Sequence, residues 1–224
     1  MPQNRREFLK TLGAIGASTA AVSAVSPKKV YAKSSPNLSP ERKGVLVDTT
    51  VCIGCRKCEW ACRGAHDIEQ EDFEKYQNNE VLDNMRRPSP TDLTIVNKYT
   101  DDGLRNVKLQ CMHCDHPACV SACIVGAIEK KEDGTVVWDT NKCIGCRYCM
   151  VACPFQIPTF EYEKALDPRI VKCDFCIERT SQGKIPACVS ICPVEALTYG
   201  TRQDLLTEAR RRIKNYPEKY YDHI

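Results

Sequence analysis

No stretch of this sequence makes a comfortable membrane span. Its most continuous apolar run, residues 11–25, is short and alanine-rich and falls below the ~20 residues that a spanning helix needs. No C-x-x-C pair is followed by histidine, which excludes c-type haem attachment. His113 lies inside one such pair and His116 just beyond it. Neither completes a Rieske arrangement, in which two histidines replace two cysteines on one iron. No nucleophile–base constellation stands out, so a self-standing catalyst is not expected. An excess of basic charge is also missing once residues 1–32 are set aside. These carry Arg5, Arg6, Lys10, Lys28 and Lys29 against Glu7, and the remainder has 27 basic and 28 acidic residues. That balance gives no reason to expect nucleic-acid binding.

Cysteine is what the chain has in abundance: 16 in 224 residues. They fall into four groups of four, each opening with C-x-x-C and closing with C-x-x-x-C: Cys52, Cys55, Cys58, Cys62; Cys111, Cys114, Cys119, Cys123; Cys143, Cys146, Cys149, Cys153; and Cys173, Cys176, Cys188, Cys192. In an exported protein such density suggests disulfides, but a disulfide framework has no need of this regularity. Zinc takes four thiolates, usually from two C-x-x-C pairs, and leaves the third and fourth cysteines unexplained. A structural zinc or disulfide protein without redox function is therefore the alternative reading. The third group, closed by Pro154, has the ligand run of bacterial [4Fe–4S] sites, in which three cysteines hold one cubane and the fourth reaches a different one. Cys149 and Cys153 are four apart, on one face of a helix that starts near the third ligand. Four cubanes, each carrying about −2 with its thiolates, would bring residues 33–224 to about −9.

Twin arginines at residues 5–6, ahead of a mild apolar run and a small-residue site at Val30-Tyr31-Ala32, resemble a twin-arginine export signal over residues 1–32. That route carries folded proteins, so clusters can be built before export to the periplasm. Residues 33–43 read as a polar, proline-containing linker. Strands are expected at 44–48, 93–99, 104–109, 127–131, 135–139, 155–162 and 196–199, with hairpins turning at Asp101-Asp102-Gly103 and Asp133-Gly134. Residues 67–87 read as loop or short helix, and 202–214 as a helix capped by Thr201, with Leu205, Leu206, Ala209 and Ile213 on one face. The first group matches the third at eight of eleven positions, and Pro-Ala-Cys-Val-Ser-x-Cys recurs at 117–123 and 186–192. This is the mark of an internal duplication. The duplication by itself permits pairing of group one with two and three with four, as well as nesting of one with four around two with three.

The four groups, their order, the sequence from Pro193 to Ala209 and the tyrosine-rich residues 216–223 resemble the four-cluster iron–sulfur subunits of membrane-associated hydrogenases and of complex iron–sulfur molybdoenzymes, such as formate dehydrogenase. The similarity covers residues 44–224. It implies an α+β fold of two ferredoxin-like βαββαβ units related by a pseudo-twofold axis, with an inserted hairpin and a C-terminal helix. The outer unit would comprise 44–110 and 160–200, with an insertion at 63–104, the inner unit 111–159, and the C-terminal helix and tail 201–224. The resemblance also implies the nested ligand sets: Cys52, Cys55, Cys58 with Cys192; Cys173, Cys176, Cys188 with Cys62; Cys111, Cys114, Cys119 with Cys153; and Cys143, Cys146, Cys149 with Cys123. No cysteine is replaced, so four cubanes are expected, although Ile124 stands where such runs commonly have proline. Subunits of this kind carry electrons without catalysis, between a periplasmic catalytic subunit (a hydrogenase or molybdopterin enzyme) and a membrane quinone- or cytochrome-linked partner. They often continue into a C-terminal membrane helix; this sequence reaches Ile224 without one, so membrane association through partners is expected. Arg56, Lys57 and Arg147 lie between ligands and are candidates for raising cluster potentials. The segment 177–187, with Arg179 and Lys184, is the candidate partner contact.

Overall fold

The described residues form four two-stranded antiparallel ribbons threaded with short helices. The computed structural model describes residues 38–220 except Asp102 and Asp167; the expected signal at 1–32, the start of the linker and the last four residues lie outside the described residues. Strand β1 (Lys43–Val47) pairs with β8 (Leu197–Thr201), Lys43 opposite Thr201 and Val47 opposite Leu197. Between them lie three local ribbons: β2 (Ile95–Tyr99) with β3 (Arg105–Leu109), β4 (Ile128–Lys130) with β5 (Val136–Trp138), and β6 (Thr159–Phe160) with β7 (Ile170–Val171). The helices are α1 (Lys57–Gly64), α2 (Ala118–Ser121), α3 (Tyr148–Ala152), α4 (Ile177–Ser181), α5 (Ala187–Ser190) and α6 (Arg202–Asn215). The mixture of helices and small antiparallel sheets agrees with the expected α+β class.

The expected hairpins are present, each a residue or two shorter than the sequence pattern suggests. Gly134 turns the second with φ 94°, while Asp133 accepts the Thr135 backbone N–H at 2.8 Å. The strand expected over 155–162 shrinks to Thr159–Phe160, because Pro154 and Pro158 cannot donate to a ladder. The candidate contact segment 177–187 begins with α4. Residues 67–87 supply two 3₁₀ turns, Phe73–Gln77 and Glu80–Asp83.

The buried core is small and contains the ligands themselves. Cys119 and Cys149 pack with Ile128, Val136 and Ile170, and Cys123, Cys143, Trp138, Met150 and Phe160 close around them. Helix α1 packs on α5, and α2 on α3, so the first group meets the fourth and the second meets the third.

Two ion-pair networks hold the periphery to this core. Glu59 of α1, 1% exposed, accepts the Val96 N–H of β2 at 2.6 Å and pairs with both Arg56 and Arg86. Arg86 also donates to the Val96 carbonyl at 2.8 Å and Arg56 to that of Asn78 at 3.2 Å. Helix α6 lies on β1 and β8. Its Thr201 cap accepts the Asp204 N–H at 3.2 Å. Gly44 admits its Leu205, whose Cδ1 would stand 3.2 Å from any Cβ there. Asp48 ties the far end, accepting from Arg212 at 3.0 Å and from the Tyr220 hydroxyl at 2.8 Å. Burial works against the charge of Asp48, but hydrogen bonds from Thr50, Tyr220 and Arg212 outweigh it and hold the carboxyl below its usual range.

Removing one member of a buried ion network leaves the others uncompensated, at a cost of about 3–5 kcal/mol. Glu59→Gln is therefore expected to lower the urea midpoint of the purified protein by about that much in free energy; an unchanged midpoint would contradict the network's role. Asp48→Asn releases α6, so amide hydrogen exchange over 202–215 is expected to speed up about tenfold or more, the equivalent of one charged hydrogen bond of about 1.5–3 kcal/mol. Unchanged protection there would show that Leu205 packing suffices alone.

Candidate metal centre

Each cysteine group is delivered by a repeated local conformation. In the first and third groups, Gly54 and Gly145 take φ 74° and 70°, and Arg56 and Arg147 take φ 58° and 63°. The glycines turn the chain between the first and second cysteines and the arginines between the second and third, and α1 and α3 begin immediately afterwards. In the second and fourth groups, Pro117 and Pro186 precede α2 and α5, which have the same sequence, Ala-Cys-Val-Ser. The Cβ-free Gly54 is required for a second reason. Any Cβ there would lie 2.8 Å from Oδ1 of Asn106, whose amide donates to the Cys52 carbonyl at 3.2 Å. The inserted hairpin β2–β3 thus braces the first ligand loop.

All sixteen cysteines are free thiols, and Cys62, Cys119, Cys149, Cys173, Cys176 and Cys188 are buried. Burial is the largest influence on the acidity of several cysteines, Cys62 among them. It pushes Cys58 and Cys173 up to about 12, and Cys119, Cys149 and Cys176 up to about 11. Neighbouring cysteine charges push the same way. Cys192 and Cys55 add to the rise at Cys52, Cys153 adds at Cys114 and Cys119, and Cys173, Cys188 and Cys176 add at Cys62. Cys52, Cys55, Cys58 and Cys192 also line one small cavity together, with Lys108. Thiols held this high stay protonated near neutral pH unless a bound cation takes the thiolate's charge. Four thiols lining one cavity are a donor set that fits a four-iron cluster. Among the described residues no three Cys, His, Asp or Glu side chains converge on a single-ion site. Sulfur also receives backbone donors: Ala127 N–H to Cys123 Sγ at 3.1 Å and Gly145 N–H to Cys143 Sγ at 3.4 Å.

The cationic residues singled out between ligands do not face the thiols alone. Arg56 is buried against Glu59 and over the Tyr76 ring, at 4.9 Å. Lys57 lies over Phe73, and the exposed Arg147 over Phe160 and Tyr162. Three lysines that the sequence reading passed over are buried instead: Lys108, Lys130 and Lys172. Lys108 donates to Gln110, Lys130 to the carbonyls of His113 and Gly134, and Lys172 to those of Val136 and Cys173. Burial opposes the charge of Lys108, yet Cys188, Cys58, Cys173 and Cys62 outweigh it and raise its pKa. This ammonium thus lies among ligands of the first and fourth groups. The only sequence signal for it was alternation along β3, where Lys108 shares the inward side with buried Asn106.

Two histidines approach thiols, one of the first group and one of the fourth. His66 lies 3.7 Å from Cys62 Sγ and 2.9 Å from Asp174, and its hydrogen bond and charge pairing with Asp174 raise its pKa against the effect of burial. His113 is buried, and burial with the nearby Lys172 and Lys130 keeps its ring neutral. His116 is exposed.

Residues 105–202 match the 4Fe-4S dicluster domain family. A protein of Nitratidesulfovibrio vulgaris (strain Hildenborough) is 45% identical over 99% of this chain and 60% of its own length. The hydrogenase-2 operon protein HybA of Escherichia coli O157:H7 is 34% identical over 97% of this chain and 69% of its own. The iron–sulfur subunit of the nitrate-inducible formate dehydrogenase of Escherichia coli K12 is 36% identical over 80% of this chain and 60% of its own. The chain spans about two thirds of the length of these relatives. Its sixteen free cysteines, all but Cys146 buried or half-buried, and these similarities together place it among the ferredoxin-type iron–sulfur subunits of oxidoreductase complexes.

Proposed function

We propose that this chain carries electrons through four [4Fe–4S] clusters, between a periplasmic catalytic subunit and a membrane quinone- or cytochrome-linked partner. The catalytic subunit would be a hydrogenase or a molybdopterin enzyme such as a formate dehydrogenase. The observation that carries the reading is the packing of α1 on α5 and of α2 on α3. That packing brings the first group to the fourth and the second to the third, and it supports cross-donation of each last cysteine as in two-cluster ferredoxin sites. The ligand sets are accordingly Cys52, Cys55, Cys58, Cys192; Cys62, Cys173, Cys176, Cys188; Cys111, Cys114, Cys119, Cys153; and Cys123, Cys143, Cys146, Cys149. They divide the chain into an outer unit, 44–110 with 160–200, and an inner unit, 111–159, each of ferredoxin type and related by a pseudo-twofold axis.

When bound, each cluster supplies a reversible one-electron couple and makes or breaks no substrate bond. The protein's residues do the rest. Buried thiolates hold the irons, backbone N–H groups and the ammonium of Lys108 compensate the added negative charge, and the short ribbons exclude water. Transfer to the periplasm would use the twin-arginine segment at 1–32, with the folded, loaded chain as cargo. Membrane association would then come through partners, with 177–187 as the contact; Ile185 in that segment is 44% exposed.

Anaerobically purified protein is expected to contain about sixteen iron and sixteen acid-labile sulfide per chain, with little zinc. About eight of each would remove half the ligand sets, and zinc without sulfide would end the electron-transfer reading. The nested sets make a sharper prediction. Cys52→Ser and Cys192→Ser are expected to perturb the same electron paramagnetic resonance signal, and Cys111→Ser and Cys153→Ser a different one. Perturbation of a common signal by Cys52→Ser and Cys123→Ser instead would establish the sequential pairing.

A further inference from the structure

One buried contact joins the inner and outer ligand groups without belonging to either set of thiolates. His113 is the third residue of Cys111-Met112-His113-Cys114, and Phe175 is the third residue of Cys173-Asp174-Phe175-Cys176. These equivalent positions of the duplicated groups stack on each other, with ring centroids 3.8 Å apart and planes 20° from parallel. Each ring is 5% exposed, and both residues have left-handed backbones, φ 44° and 63°.

The hydrogen bonds of His113 fix its tautomer. Nδ1 lies 2.9 Å from the backbone nitrogen of Val136, which can only donate. Nδ1 must therefore be the acceptor, and the proton of the ring must sit on Nε2. Nε2 in turn lies 3.8 Å from Cys173 Sγ, within hydrogen-bonding reach of a large sulfur atom. The imidazole thus directs an N–H at a thiol of the fourth group from inside the loop of the second.

We propose that His113 is a positioning residue linking the inner and outer cluster pairs: its Nε2–H donates to the Cys173 thiolate and raises the reduction potential of the cluster that Cys173 holds. The inference rests on the electron-transfer reading above. An electron passing from the cluster at Cys111 and Cys114 to the one at Cys173 and Cys176 oxidises the first by one and reduces the second by one. The gained charge spreads onto the ligand sulfurs, so a hydrogen bond there stabilises the reduced form more than the oxidised one. Donation at Cys173 therefore favours flow from the inner pair to the outer. The covalent route from Cys114 through the His113 ring to that hydrogen bond crosses the junction where the two halves meet.

The test is a potentiometric titration monitored by electron paramagnetic resonance on iron-replete protein. His113→Phe keeps a ring against Phe175 and removes the donor. It is expected to make one of the four clusters about tenfold harder to reduce, which is 59 mV for a one-electron couple, and to leave the others in place. His113→Gln, which carries an amide N–H at a similar reach, is expected to recover most of that shift. A separate measurement keeps the matter open to refutation if His113→Phe loses iron. In 15N-histidine-labelled His66→Gln protein, the other histidine near this set is gone, and pulsed resonance on the reduced cluster should detect a histidine nitrogen. Four unchanged potentials in iron-replete His113→Phe, or no nitrogen coupling in the labelled protein, would overturn the proposal. Absence of the four cluster signals from the unaltered protein would instead overturn the electron-transfer reading itself.

Discussion

A thiolate taken out of water must have a positive charge beside it, and this constraint arranges the whole chain. The buried thiols are held so far toward protonation that their pKa values reach about 11 or 12. Such sites are poorly suited to ionise alone. The apolar core supplies little else: short strands, four- and five-residue helices, and ligand cysteines occupying places that another small protein would give to leucine. Helices this short have almost no independent stability. Their geometry depends on the ligands they carry as much as the ligands depend on them.

Compensation comes from inside as well as from the metal. Lys108, Lys130 and Lys172 bring ammonium groups into the interior, where each is held by carbonyl or amide oxygens rather than by carboxylates. An amine held in this way keeps its charge free to act on nearby sulfur, whereas one paired with an acid is largely neutralised. Arg56 shows the contrast. It lies between two ligands in sequence, yet its guanidinium is committed to Glu59, and the pair fastens α1 to the hairpin.

Much of this was readable in the amino-acid order, and the reasons are specific. Cysteine spacing is a strong signal because chemistry fixes it, and Asp133-Gly134 and Thr201 announced a turn and a cap through local backbone preference. The hairpins β2–β3 and β4–β5 followed from alternation. What could not be read was anything settled by distant packing. Nothing local in Val-Lys-Leu says that Lys108 turns inward among cysteines fifty and eighty residues away, because a lysine on a strand ordinarily faces water. Glu59 has the same history: at i+3 from Arg56 it looks like a surface helix pair, and only Arg86 and Val96 make it buried. The stacking of His113 on Phe175 also needed coordinates, although both sit at the same place in a repeated motif. Contact between equivalent positions of two repeats is what a twofold relation produces near its axis, so the contact supports the paired-unit reading.

The pairing of β1 with β8 sets an order for making this protein. During synthesis, every residue of the inner groups has been made by the time β6 is complete, and these parts are neighbours in sequence. The first group is made before them and its loop is braced by Asn106, but Cys192 and β8 follow only after the other three ribbons. A chain interrupted before β8 would therefore have its middle complete and nothing for β1 to pair with.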